Sequence, residues 1–334
     1  MKKSLIWLAK AAIAGVLALT ALCLFCCLYA NVPVHYANET GATEYYWEPH
    51  RFYSGMTEGF GHGRVNNEGF NNLLDHSPGD GVDILLMGSS HMDAHNVMQD
   101  ENAAAVLNRL FRGEKYTYNI GMAGHSFTYS VKHLDAALNT YEPAEYVLLE
   151  NYTLYYSDAE LEAVLHNELP AIPSHTGGLI ELLQKLPYLR LIYTKYFKGM
   201  NNADDIQANA AAVQVSDPER NAQLLNEMMV YVSECCKAHN VTPVVVFEAV
   251  LRVDEQGNAY CDIDPDKLKE LQCACEENGI VFADLSGAFL REYELSHRLP
   301  FGFANTVPGS GHLNKLGHEL FAETVYAVIT EREG

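Results

Sequence analysis

Five short apolar runs, each closed by glycine or a polar residue and separated by stretches of helical periodicity, leave this chain few architectures. The runs are Val82–Met87 before Gly88-Ser89-Ser90, Tyr116–Ile120 before Gly121, Tyr146–Leu149 before Glu150-Asn151, Thr242–Phe247 before Glu248, and Ile280–Ala283 before Asp284. Nearly continuous aliphatic, β-branched or aromatic runs of this length suit strands buried on both faces. Between them, Asn102–Phe111, Ser130–Leu138, Pro218–His239 and Pro265–Glu277 carry helical spacing, and Asn314–Ile329 closes the chain in the same way. Asp264 before Pro265 reads as an N-cap followed by proline at the first helical position. Strand–helix alternation predicts an α/β fold: three layers, α/β/α, around a five-stranded parallel sheet.

The rhythm breaks twice. Residues 31–80 are rich in aromatic residues, glycine and asparagine, with Tyr45, Tyr46, Trp47, Phe52, Tyr53, Phe60 and Phe70 but no clean period. They read as a linker becoming a lead-in that packs on the main domain or lines its site. Residues 158–212 lie between the third and fourth runs and read as an insertion. The expected organisation is 1–30, 31–80, and a domain over 81–334 that carries this insertion.

The first thirty residues hold only Lys2, Lys3 and Lys10 as charges, and Ala11–Ala30 contains none. Twenty such residues in a helix cross a hydrocarbon core of about 30 Å. The lysines precede the segment, which predicts a cytoplasmic N-terminus and an extracytoplasmic body at the cell membrane. A cleaved signal peptide is the alternative. Cutting after Ala30 would put Leu28 at −3, a poor site.

Composition sets outer limits. At 48% hydrophobic and 19% charged residues, a chain of 334 can bury a large core. Three of its 22 basic residues lie in the N-terminal segment. The remainder sets 19 basic against 43 acidic residues, a net charge of −24. That disfavours nucleic acid and anionic lipid as partners. Of eight cysteines, three lie in the N-terminal segment, and the other five show no zinc-ribbon spacing. They read as small buried hydrophobes, and neither a disulfide-stapled scaffold nor a cofactor is indicated.

In an open parallel sheet, ligands bind beyond the carboxyl ends of the strands, so the residues closing the runs are the ones to weigh. A serine nucleophile needs a base in reach and donors for an oxyanion. Ser90 lies in a tight turn ahead of a helical stretch. Ser89 beside it reads as structural. Gly121 can offer a backbone N–H and Asn151 a side-chain amide. The C-terminal Pro308-Gly-Ser-Gly-His312-Leu-Asn-Lys-Leu-Gly-His318 supplies a histidine in a glycine-rich loop before the last helix. His91, Asp93 and His125 are candidate substrate contacts. His91, Asp93 and His95 alternate, but a metal site is not expected.

Gly-x-Ser after the first run, Gly after the second, Asn after the third and a final His-Leu-Asn-x-x-Gly-His resemble the four blocks of the SGNH (GDSL-like) hydrolases, whose fold is flavodoxin-like. The form Gly-Ser-Ser-His behind an apolar N-terminal segment is similar to bacterial envelope members, including the D-alanyl transfer and alginate O-acetylation proteins. The resemblance implies Ser90 as nucleophile and His312 as base, with Ser90, Gly121 and Asn151 around the oxyanion. It also implies an esterase or O-acyltransferase acting on envelope polysaccharide or teichoic acid, with a membrane acyl-transfer partner in the second case. One position departs from the pattern. The acid expected three residues before the histidine is Gly309. Asp284 or Glu248 can replace it, a backbone carbonyl can hold the imidazole instead, or the domain is a non-catalytic glycan-binding or assembly subunit.

Overall fold

A computed structural model describes residues 2–31, 33–77, 79–171, 186–196 and 217–333. Helix α1 (Lys2–Tyr29) leads into five short strands: β1 (Ala30–Asn31), β2 (His35–Ala37), β3 (Tyr45–Trp47), β4 (Phe52–Gly55) and β5 (Gly61–Arg64). The main unit follows as β6 (Ile84–Met87), α2 (Ser90–Asp93), α3 (Ala103–Leu110), β7 (Thr117–Asn119), α4 (Phe127–Tyr141), β8 (Tyr146–Asn151), α5 (Asp158–Leu165), α6 (Pro187–Tyr196) and α7 (Pro218–Ala238). It continues through β9 (Thr242–Phe247), β10 (Leu251–Val253), β11 (Ala259–Cys261), α8 (Pro265–Glu277), β12 (Val281–Asp284), α9 (Ser286–Ser296) and α10 (Lys315–Glu333).

All five apolar runs become strands of one parallel sheet in the order β12-β9-β8-β6-β7. Their side chains alternate between two cores, because successive residues of a strand point to opposite faces. Leu85, Met87, Val147, Leu149, Val245 and Phe247 face a core shared with α4, α5, α7 and α8. Ile84, Leu86, Leu148, Val244 and Val246 face the core under α3, α9 and α10. Burial on both faces is why the runs are apolar without alternation. Helix α9 was not legible in the sequence, where its apolar residues are sparse. Of the 158–212 insertion, residues 158–171 and 186–196 are described and carry α5 and α6, and the rest lies outside the described residues.

The 31–80 stretch is built rather than loose. β1, β4 and β5 form one antiparallel sheet and β2 and β3 another. Ala42, Tyr45, Trp47, Tyr53, Val65 and Phe70 are buried in the first of the two cores. Asn66, Asn71 and Asn72 are buried too, and the amides of Asn71 and Asn72 bond the backbone at Asp93 and Asn119. The asparagines therefore satisfy backbone groups that the irregular lead-in would otherwise leave unpaired. Helix α1 holds an apolar stretch, Lys3–Tyr29, long enough to cross a membrane.

Candidate active site

The sheet's carboxyl edge gathers the residues that close its strands. β6 ends in Met87, and Gly88-Ser89 carry the chain into α2, whose first residue is Ser90. Ser89 is the N-cap: its hydroxyl accepts the His91 N–H at 3.1 Å and donates to Glu150 Oε1 at 3.1 Å. That leaves Ser90 to face the loop before α10. There, His312 Nε2 lies 2.8 Å from Ser90 Oγ.

The loop is fixed from several sides. Gly302 N–H donates to His312 O at 3.0 Å, and Phe301 and Leu313 form a β-bridge. Asn314 donates to Leu299 O and Gly302 O, while its Oδ1 accepts from Gly317 N–H at the start of α10. The Leu313 and Asn314 positions of the closing motif thus hold the loop that presents His312.

Behind the imidazole stands Glu58. Its Oε2 is 2.8 Å from His312 Nδ1, and its Oε1 accepts the His312 backbone N–H at 2.8 Å. This corrects the acids considered from sequence. Asp284 is spent on Ser286, accepting its N–H at 2.9 Å and its hydroxyl at 2.6 Å as α9 begins. Glu248 bonds His91 Nδ1 at 2.6 Å instead. Glu58 comes from the lead-in, on the loop between β4 and β5. Asn305 clamps that loop, donating to Met56 O and Gly59 O and accepting from Gly59 N–H. Gly311 makes room for the acid: a Cβ there would stand 2.3 Å from Glu58 Oε1, and its φ of +88° suits glycine. Gly309, at the position where an acid was expected, is a loop residue whose N–H donates to Phe301 O.

The electrostatics agree with the geometry. Burial works to raise the Glu58 carboxyl, but the hydrogen bonds and charge of His312 outweigh it and hold Glu58 below its ordinary value. An ionised Glu58 accepting from Nδ1–H leaves Nε2 unprotonated, the tautomer that can take a proton from Ser90.

The oxyanion donors are only partly those expected. As the first residue of its helix, Ser90 has no intrahelical acceptor for its N–H. Asn151 Oδ1 accepts from Thr153 N–H and Tyr156 O–H, which fixes the amide's orientation, and its buried Nδ2 has no hydrogen-bond partner among the described residues. Gly121 differs. Its N–H donates to Asn119 Oδ1 at 2.8 Å, because that side chain folds back over the end of β7. What glycine supplies at 121 is clearance, since a Cβ would lie 2.4 Å from Met92 Cβ.

The three expected substrate contacts are also redistributed. Asp93 is buried, accepting from Trp47 Nε1 at 3.0 Å and from the Ala123 N–H, and so ties the lead-in to α2. His125 is buried among Tyr45, Tyr129 and His133. Neither faces an open site. His91 stays beside the triad, its ring 5.3 Å from that of His312. His318 is buried inside the last helix and does not compete as base.

Beneath Ser89 and His91 lie two buried carboxyls. Burial, then the charge of Glu248, pushes Glu150 up to about 7. Burial pushes Glu248 well above the usual range and His91 down. At the Glu248–His91 contact burial thus disfavours the charge on both partners. This has a consequence for stability. In the unfolded chain these glutamates ionise near pH 4.3, so above that pH the folded state holds more protons and stability falls as pH rises. Burial lowers His125 and His318 to about 3, and these groups act oppositely, losing stability as pH falls below about 6.5. The unfolding free energy should therefore fall from pH 6.5 to 8.5, by about 1.4 kcal/mol per pH unit for each carboxyl still protonated, and the melting temperature with it. Glu248→Gln should flatten that limb in thermal melts. An unchanged limb would show that Glu248 is ionised in the fold.

Glu150, Glu248 and His91 also form a group able to hold a cation, as do Asp135, Cys235 and His239 on α4 and at the end of α7.

No protein-family profile and no curated protein matches the chain. Among solved structures, its fold is similar to an acetyl xylan esterase, AlAXEase, at 12% identity and a TM-score of 0.44, over 74% of this chain and 99% of that one. It is similar also to the psychrotrophic esterase EstA from Pseudoalteromonas sp., at 14% identity and 0.39, over 76% and 99%. A member of the lipolytic G-D-S-L family from Veillonella parvula is similar at 14% identity and 0.39, over 74% and 97%.

Proposed function

We propose that the chain is a serine esterase or O-acyltransferase of the SGNH type, working through Ser90, His312 and Glu58 on acyl groups of cell-envelope glycans or teichoic acid. The observation that carries this reading is the unbroken relay of two 2.8 Å contacts from Ser90 Oγ through the His312 ring to Glu58. His312 Nε2 takes the Ser90 proton as Oγ bonds the acyl carbon. It then returns that proton to the departing alcohol as the ester C–O bond breaks. Ser90 N–H and Asn151 Nδ2 donate to the oxyanion. In the second half, His312 takes a proton from water or from an acceptor hydroxyl, whose oxygen attacks the acyl carbon. The proton returns to Ser90 Oγ as the acyl bond to it breaks. Water gives a carboxylic acid, and a glycan hydroxyl gives a new ester.

The glycan assignment rests on the sequence resemblance and on α1 as a membrane anchor with the site outside the cell. A non-catalytic glycan-binding subunit lost its main sequence support when Glu58 took the place that Gly309 left open. The test is covalent labelling of the full chain with a fluorophosphonate. Modification found on the peptide containing Ser90, at a rate that falls on adding an acetyl ester, is the expected result. A folded chain that takes no label would overturn the reading.

A further inference from the structure

The loop that carries Glu58 is bonded to the end of α1. Met56 N–H donates to Tyr29 O, the last residue of the helix, at 3.0 Å, and Ser54 Oγ donates to Leu28 O. β1, directly after the helix, pairs with β4, setting Ala30 opposite Gly55 and Asn31 opposite Ser54. Glu58 is two residues past Met56, and one imidazole separates it from Ser90. At the reach of an extended chain, Ser90 lies within about 20 Å of the helix end.

The depth of that helix end follows from length. The 27 residues Lys3–Tyr29 span about 40 Å, against a hydrocarbon core of about 30 Å and about 40–45 Å with the polar layers. Tyr29 then falls in the outer interfacial layer, where tyrosine concentrates. A large aromatic residue at the end of the Glu58 loop faces outward, Phe60 at 56% exposure. A second element lies deeper, beside the apolar stretch of α1. The hydroxyl of Tyr188 in α6 donates to Leu19 O at 2.7 Å, ten residues or about 15 Å back along α1. Leu189 and Ile192 of α6 and the preceding Leu186 are exposed. With Arg190 and Lys195 in its sequence beside these apolar residues, α6 is amphipathic, and an amphipathic helix alongside a membrane-crossing one sets its apolar face into the bilayer.

We propose that the Glu58 face rests on the outer bilayer surface, with α6 set into it, and that Ser90 takes its esters from lipid-anchored molecules in that surface rather than from soluble glycans. The lipid surface is the partner. Its chemistry is an acyl ester on a headgroup sugar or polyol held by a diacyl anchor. The substrate half rests on the esterase reading, and the placement half does not.

The experiment uses the full chain in phosphatidylcholine vesicles and reads each half separately. Phe60→Cys in a Cys273→Ser background is labelled with a bimane thiol probe, and Cys273→Ser alone is the blank. Lipids carrying a nitroxide on the headgroup should quench the probe at least twofold. Absence of quenching overturns the placement and the proposal with it. The unlabelled wild type is then given the same acetyl ester on glucosyl diacylglycerol in its own vesicles or on methyl glucoside in solution. Acetate release should be at least tenfold faster from the lipid. Equal rates beside positive quenching overturn the substrate half. Quenching without hydrolysis of either ester overturns the esterase reading and upholds the placement.

Discussion

Ser90→Ala and His312→Ala should each lower kcat for a simple acetyl ester by about four to six orders of magnitude, with the double variant no worse than the poorer single. Groups that act as one unit fail together: an alcohol without its base is a weak nucleophile, and a base without its alcohol has nothing to activate. The residual rate would come from the Ser90 N–H and Asn151 alone, about a thousandfold over water in the worked serine-protease template. The fold should be indifferent to both changes. Among the described residues Ser90 Oγ bonds only His312, and Glu58 keeps the residue-312 backbone N–H when the imidazole is gone. Thermal melts should show each variant near wild type, since small changes at half-exposed sites away from the core cost little. Additive losses in the double variant would mean that Ser90 and His312 serve separate functions despite their 2.8 Å contact.

How far the sequence disclosed this arrangement depends on whether its signals were local. The parallel sheet was legible because each strand is buried on both faces and says so in its own few residues, as in Thr242–Phe247. Ser90 and His312 were legible because a turn after the first strand and a glycine-rich loop before the last helix are also local. Glu58 was not. It lies 254 residues from His312, in a stretch whose strands are three or four residues long and carry no period. Its one trace was the density of glycines around it, which marks close backbone approach but names no partner. The same limit explains the side chains that were assigned to substrate. Asp93 and His125 lie near Ser90 and the second block in sequence, yet the buried indole of Trp47 and the ring of Tyr45, both from the lead-in, claim them. Gly121 shows a different failure. Its position was read correctly, but the donor it was to supply is taken by Asn119 two residues earlier.

Glu58→Gln is the sharper test, because it keeps size and shape. The carboxylate offers two acceptors, one to the His312 backbone N–H and one to Nδ1–H. The amide has a single oxygen. The backbone N–H can only donate and claims it, so the NH2 group turns to Nδ1 and makes that nitrogen the acceptor. The imidazole proton then sits on Nε2, facing Ser90 Oγ, and the base is blocked with every atom in place. Loss of about ten-thousandfold in kcat/KM is expected on the pattern of the serine-protease aspartate-to-asparagine change, with little change in KM. What activity remains should climb with hydroxide concentration instead of levelling off. Asp284→Asn should stay within about twofold of wild type, because its carboxylate caps α9 and touches nothing in the relay. A large loss at Asp284 with Glu58→Gln unaffected would mean the working site is rearranged around the C-terminal acid. The lead-in would then be scaffold only.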